Sequence, residues 1–535
     1  MSNQGWEAIA AAKRKALSDS IPSEWRIPAD IFPAETQEDV TGFPKSSGWF
    51  TEKELEITGS TATQLLQKLA SGELKSEEVT KAFCKRAAAA HQLTNCLSET
   101  LFAAALDTAR SLDEHLARTG KPIGPLHGLP ISLKDNFNLK GIDSTVGFIA
   151  YVNDPAKYDS VLAEILRGAG AVFYVKTNVP TAMMIAESVN NVFGRTVHPR
   201  NRNLTSGGSS GGESALIAFG GSVVGVGSDI GGSLRIPAAC TGIFTLRPSS
   251  GRFPTTRCRA GLAGQEAVLS VNGPMTPNLN DLELYCKTVV GAEPWISDPR
   301  CIPIPWRSAE LPQKLKIGVL WNDGMVTPTP PVKRALEHTV QKLKAAGHEL
   351  VDWSHEDHAE LLSVLARSFV SDGGKSVRET LKGTGEPFRE EMSAYEQAKE
   401  VGGYDMWQLH IQRNEIQKRY LDRWNNAGID VLLLPTTPFA TVKNGQFKHV
   451  GYTGVYNVLD YAATSFPTGL SVDQDADKAT GAGFKPLTSI DEEINSEYDA
   501  QAVLGMPISL QLVARRLEEE KVIEATKVVL DALSK

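Results

Sequence analysis

Cysteine is scarce: Cys84, Cys96, Cys240, Cys258, Cys286 and Cys301 are the six in 535 residues, and none forms a C-x-x-C pair. That argues against a disulfide framework or a zinc site and reads as reduced thiols in a cytosolic protein. An excess of positive charge is lacking too. The formal net charge is -8, which disfavours a phosphate-backbone partner, so no nucleic acid is expected. Long apolar runs are missing: the uncharged stretch Ser214 to Ser228 is too short and glycine-rich to cross a bilayer. No basic segment with an apolar core leads the chain, and Leu533-Ser-Lys535 differs from the peroxisomal tripeptide, so the expectation is cytoplasmic with no membrane attachment. Among the ten histidines only His355 and His358 lie close together, with no third ligand near them, so no metal is expected. The rest of the composition, 41% hydrophobic and 22% charged, is that of a folded globular chain.

Glycine, by contrast, is concentrated between Ser206 and Ala239. The stretch opens with Ser206-Gly-Gly-Ser209-Ser210-Gly-Gly-Glu213 and closes with Gly227-Ser-Asp229-Ile-Gly-Gly-Ser233-Leu-Arg235-Ile-Pro237. Two loops whose backbone must take φ > 0 or admit a close neighbour each deliver a serine, which is how a site is built. Ser210 with Glu213 three residues on fits a capping box and predicts a helix from Ser210, placing Ser209 at its positive end. Val223 to Gly227 reads as a short buried strand. In the turn after it, the N–H groups of Ile230, Gly231, Gly232 and Ser233 are expected to converge as an oxyanion hole.

Three tempting motifs fail. Gly207-Gly-Ser209-Ser-Gly211 fits a nucleophile elbow, but Asn201 to Thr205 before it is polar where a hydrophobic strand is required. Position 230 is Ile, which breaks a dinucleotide fingerprint, and Phe369 stands where a P-loop needs glycine. No nucleotide or other cofactor is expected.

A serine nucleophile needs a base. Pro125-Leu-His-Gly-Leu-Pro130-Ile-Ser-Leu-Lys134-Asp135 ends an apolar, strand-like run on a lysine. Burial there would lower its pKa towards neutrality, a bias of roughly 4 to 5 kcal/mol. A strand-end lysine more often snorkels to solvent, and the run alone leaves both readings open.

Gly128 to Asp135, Gly207 to Glu213 and Gly227 to Pro237, in this order and spacing, resemble the three blocks of the amidase signature family. Val175 to Pro180, Gly194 to Asn201, Leu246 to Arg252 and Gly273 to Thr276 agree, so the resemblance covers roughly residues 60 to 535. Trp25, Ala82 to Arg86, Gln92 to Cys96 and Gly291 to Trp295 look most like its fungal acetamidase branch; Pro277 stands where many members carry Arg. The resemblance implies a Ser-Ser-Lys triad. Ser233 resembles the acylated nucleophile, Ser209 the bridging serine whose preceding peptide is cis, and Lys134 the base. Asp229 and Arg235 are expected to form a buried pair that fixes the loop, Asp135 to support by hydrogen bonding, and Ser210 to cap its helix. Met183 and Met184 align with acyl-pocket positions of the fatty acid amide hydrolase branch, with core packing the equal alternative.

The implied fold class is α/β, a mixed central β-sheet covered by helices on both sides. Residues 1–58 are expected as an N-terminal arm with a helix over Trp6 to Leu17, and 59–535 as the catalytic domain. Within it, 330–425 forms a helical block over the sheet and Asp473 to Asn495 a surface excursion. Three helices are expected between Thr61 and Thr119, and further strands at Ala171 to Lys176, Leu315 to Leu320, Val431 to Leu434 and Ile508 to Val513. The implied activity is hydrolysis of a carboxylic amide, a small aliphatic one first. Carbamates, aryl amides and esters stay open, as do an amidotransferase subunit serving partner chains, a non-catalytic amide-binding protein, and a homodimer.

Overall fold

The computed structural model describes residues 5–481 and 483–535; Met1 to Gln4, at the head of the expected arm, and Ala482, inside the expected excursion, lie outside the described residues. Eleven strands form one sheet: β1 (Leu97–Thr100), β2 (Pro130–Lys134), β3 (Val172–Thr177), β4 (Gly225–Asp229), β5 (Phe244–Arg247), β6 (Val271–Thr276), β7 (Lys316–Val319), β8 (Glu349–Asp352), β9 (Val431–Pro435), β10 (Ala463–Ser471) and β11 (Pro507–Val513). Their spatial order is β1-β3-β2-β4-β6-β5-β10-β11-β9-β7-β8. Parallel pairs join β3 to β2, β2 to β4, β9 to β7 and β7 to β8; the other pairs are antiparallel, so the sheet is mixed.

Helices cover both faces, and β9 shows why its sequence is a continuous apolar run. Val431 and Leu433 pack into the main core with Val340 and Leu343 of the Pro330–Ala345 helix. Leu432 and Leu434 enter a second core with Leu365, Ile416 and Val455. A strand buried on both faces has no polar side to alternate with. Every residue of β2, β3, β4, β6, β9 and β11 is buried.

Three helices fill the interval expected to hold them: Ala62–Ser71, Ser76–Thr94 and Phe102–Thr119. The short edge strand β1 between the last two is an addition. The 330–425 segment divides. It gives β8 to the sheet edge, the Pro330–Ala345 helix to one face, and the His358–Phe369 and Gly403–Ala427 helices to the other. The expected excursion contains a helix, Ser489–Glu497, and two fully buried carboxylates. Asp477 accepts from Arg334 Nε (2.6 Å) and Asp491 from Thr327 N (2.9 Å). These bonds pin a segment that apolar content alone would leave loose. The arm's Trp6–Asp19 helix packs Ala10 and Leu17 on Ile149, Val192 and Phe193. Its Lys13 reaches Glu99 and Asp143, the latter at 2.8 Å. No helix among the described residues is long and apolar enough to cross a membrane.

Parallel β2 and β4 position the site. With Ser132 opposite Gly225 and Leu133 opposite Val226, the strands end side by side at Lys134 and at Ser228-Asp229. Crevices beyond the carboxyl ends of parallel strands are where α/β sheets bind ligands.

The helix that follows Ser209 packs against β4 through glycine at 225: a Cβ there would lie 2.2 Å from Glu213 Oε2. Gly225→Ala is expected to destabilise by ~1–3 kcal/mol through overpacking. Gly59, with nothing within 4 Å of its Cβ position at a helix end, is the control: Gly59→Ala should be neutral or stabilising by up to ~1 kcal/mol. Urea denaturation of both variants measures the contrast.

Candidate active site

Lys134 ends β2 with no exposed surface. Its Nζ donates to Ser209 Oγ (2.7 Å) and Ser228 Oγ (2.8 Å), with Ser228 O at 3.4 Å. Burial lowers its pKa to about 7, against the smaller upward pull of Asp229, Glu213 and Asp135. The alternative of a lysine snorkelling to solvent is thereby excluded. Ser228 was not singled out from the sequence. Its signal was its place at the end of β4 opposite a buried amine, which only the register reveals.

Ser209 follows a cis peptide from Gly208 and precedes the Gly211–Ala218 helix, so it lies at the positive end expected for it. The expected capping box is not formed. Ser210 makes no cap bond, and Ser188 Oγ instead accepts from Gly211 N (3.0 Å). Glu213 is drawn into the sheet. It accepts from Ser132 Oγ (2.6 Å) and Thr177 Oγ1 (3.0 Å), and burial pushes its pKa up to about 8. The Ser210 N–H that a capping box would offer to Glu213 already donates to Ser233 O, and the carboxyl turns instead to two hydroxyls on β2 and β3. Ser210 ties the two glycine loops together: its N–H donates to Ser233 O (3.2 Å) and its Oγ to Ser228 O (3.3 Å).

Ser233 sits in the turn between β4 and the Arg235–Thr241 helix. Of the four N–H groups expected to converge there, Gly232's is committed elsewhere, donating to Asp229 Oδ1 at 2.8 Å. The side chain of Asp229 folds back over the turn and claims it. Among the described residues the N–H groups of Ile230, Gly231 and Ser233 take no protein acceptor. Asp229 and Arg235 form the expected buried pair, Nε to Oδ2 at 3.1 Å. Burial pushes the Asp229 carboxyl up, but the Arg235 guanidinium outweighs it and holds it well below the usual range. Arg235 also donates to Asn457 Oδ1 (2.7 Å) and Gln511 Oε1 (3.3 Å). Asp135 lies one residue from the amine and faces away from the serines. It accepts from Ser98 Oγ (2.7 Å), Thr145 Oγ1 (2.9 Å) and Val146 N (2.7 Å).

Ser209, Ser228, Ile230, Ser233, Met183 and Met184 line one cavity of ≈ 140 Å³. Lys134 lies beneath it. Met183 takes φ +58°, after Ala182 at +56°. The turn is held by Met183 N to Pro180 O (2.9 Å) and pressed by Gly261, whose Cβ would fall 1.9 Å from Ala182 O. Both methionines also pack on the apolar cluster of Val377, Leu381 and Met392, so wall and packing roles coincide. Asn136, Thr255, Asn272 and Arg259 give the same cavity a polar side that sequence reading missed. A larger groove of ≈ 660 Å³ lies across the 262–266 stretch and contains none of the three triad candidates.

The sequence model of the family described as Amidase matches residues 78–523. An acetamidase of Emericella nidulans is 44% identical over 534 residues, covering 97% of this chain and 96% of that one. An acetamidase of Aspergillus oryzae is 38% identical over 550 residues, covering 99% of each. Among solved structures, a fatty acid amide hydrolase superposes with TM-score 0.95 at 35% identity, covering 99% of this chain and 95% of that one. A 6-aminohexanoate cyclic dimer hydrolase shares the fold, with TM-score 0.72 at 23% identity over 91% of this chain and 98% of its own. The fold and these relatives define an amide-hydrolysing enzyme. The chain belongs to the amidase signature family.

A buried amine with a lowered pKa has a measurable signature in stability. Between the folded value of about 7 and the ordinary 10.5, the unfolded chain holds a proton that the folded chain lacks. Raising the pH therefore favours folding across that window. Lys134→Met should be more stable than the parent by ~1–4 kcal/mol at pH 6.5. The advantage should shrink as the pH rises towards 10.5, which chemical denaturation at several pH values would show.

Proposed function

We propose that the chain hydrolyses a carboxylic amide to an acid and ammonia or an amine, with Ser233 as nucleophile, Ser209 as proton shuttle and Lys134 as base. The observation that carries this reading is the desolvated Lys134 amine in contact with Ser209 Oγ, beneath a cavity that Ser209 and Ser233 share. A neutral amine takes the Ser209 hydroxyl proton as Ser209 takes that of Ser233, and the Ser233 oxygen adds to the amide carbonyl. Negative charge then develops on the carbonyl oxygen, where the N–H groups of Ile230, Gly231 and Ser233 are the available donors. Collapse breaks the C–N bond, and the proton held at Lys134 passes through Ser209 to the departing nitrogen. Water, deprotonated by the same relay, adds to the acyl-Ser233 ester and releases the acid. This is the nucleophile-and-positioned-base logic of serine hydrolases with lysine in place of histidine.

A small aliphatic amide is the first substrate. The cavity of ≈ 140 Å³ is well below the ~300–1,000 Å³ of sites for drug-sized ligands, and the two acetamidases cover nearly the whole chain. A long-chain amide is the second reading, favoured by the 0.95 TM-score with a protein named for that substrate.

Ammonia release from a panel running through acetamide, benzamide and a long-chain amide, with Ser233→Ala alongside, tests both readings. Release should be fastest from acetamide and should fall at least ~10³-fold in the variant. A profile led by the long-chain amide would transfer the reading to it, and release unchanged in Ser233→Ala would remove Ser233 as nucleophile. Because the base must be neutral, kcat/KM should rise with pH through about 7. A profile flat between pH 6 and 9 would contradict Lys134 as the base.

A further inference from the structure

The Gly451–Leu459 helix runs beside the nucleophile loop and grips it at two points. Thr453 Oγ1 donates to the Gly231 carbonyl oxygen at 2.7 Å. Asn457 Nδ2 donates to Asp229 Oδ1 at 2.8 Å, and that same oxygen accepts the Gly232 N–H at 2.8 Å. The peptide joining Gly231 to Gly232 is therefore held at both ends, its carbonyl by Thr453 and its N–H by Asp229.

The restraint matters because of where this peptide lies. Gly231 and Gly232 carry no side chain to limit rotation, and Gly231 has nothing nearer its Cβ position than Phe369 at 3.6 Å. A glycine pair is the easiest backbone to reorient. Gly231 N–H and Ser233 N–H flank the held peptide, so its plane sets the angle between them. Gly232 is at φ +129°, and a Cβ there would lie 2.2 Å from Thr453 Oγ1, so the helix and the loop can approach only with glycine at that position. Thr453 is buried and does not line the cavity that Ser209 and Ser233 share.

We infer that Thr453 is a positioning residue for catalysis. By holding the Gly231 carbonyl it fixes the two flanking N–H groups in the orientation that stabilises the developing oxyanion. The inference rests on the Ser233 acyl-enzyme reading and adds a residue more than two hundred positions away in sequence to its machinery. A donor network that is preorganised costs no rearrangement when charge develops, so its loss is felt in the transition state and not in substrate binding.

The test compares the full-length parent with Thr453→Val, which replaces the hydroxyl by a methyl of similar size, and Thr453→Ser, which keeps the hydroxyl. Three readouts are taken: kcat and KM for the best amide of the panel, inhibition by a trifluoromethyl ketone of the same acyl group, and inhibition by the matching alcohol. The ketone becomes a hemiketal oxyanion on the serine, whereas the alcohol only occupies the pocket. Thr453→Val should lower kcat by ~10- to 100-fold with KM within about twofold. It should weaken the ketone by a similar factor, leave the alcohol unchanged, and Thr453→Ser should recover most of the loss. Parental kcat in Thr453→Val would overturn the inference, as would equal weakening of ketone and alcohol. If Thr453→Val does not fold, Thr453→Ser against Thr453→Ala decides: equal rates in the two overturn it. Failure of the underlying reading shows separately, as ammonia release that survives Ser233→Ala.

Discussion

The site depends on keeping a lysine amine out of water without giving it a carboxylate to hold. Lys134 is fully buried, yet its Nζ touches two serine hydroxyls and a carbonyl and no ion. Either alternative would disable it. A direct carboxylate partner would keep the amine protonated, and exposure would restore its ordinary affinity for protons. Asp135 is adjacent in sequence, but Ser98, Thr145 and Val146 hold it elsewhere, and a second fully buried lysine, Lys176, sits 3.8 Å from it. Burial pushes the Glu213 carboxyl up to about 8, and its recorded bonds go to Ser132 and Thr177, with none to the amine. The surroundings are polar enough to anchor the amine and too weakly charged to keep it protonated above a pH of about 7.

The nucleophile side obeys the opposite rule. Asp229 and Arg235 are both fully buried and remain an ion pair, because each also finds neutral partners for its remaining donors or acceptors. A buried pair is a weak source of net stability, but breaking it leaves an uncompensated charge. Here it fixes the course of a loop with two glycines. The proposed base is set by the absence of a direct charge partner, and the loop of the proposed nucleophile is fixed by the presence of one.

Much of this was legible in the sequence for definite reasons. The short apolar run Val431 to Leu434 marks a strand buried on both sides, and the three motif blocks carry Lys134, Ser209 and Ser233. The errors have two sources, one distant in sequence and one local. Ser210 with Glu213 is a local pattern, but Glu213 answers to Ser132 and Thr177, which are distant in sequence and adjacent only through the register of β2, β3 and β4. Gly232 belonged to a plausible run of four donors until Asp229, three residues earlier, folded back onto it. Ser228 gained its contact with Lys134, and Thr453 its contact with Gly231, by strand and helix placement that no local window contains.

The glycine density itself follows from what the chemistry must bring together. Gly207 meets Pro237, Gly208 meets the 185–187 backbone and Gly212 meets Asn178, each with a Cβ position 2.5 to 2.8 Å from a backbone atom. The two loops, the β2 end and the 178–188 segment are packed backbone against backbone. Serine hydroxyls and peptide N–H groups are short, and they converge on one carbonyl only if the chains bearing them approach within a few ångströms. Larger side chains would separate those chains before the hydroxyls could meet. The glycines are thus the steric counterpart of the buried amine: they let the backbones approach until the two serines of the proposed relay line one cavity above it.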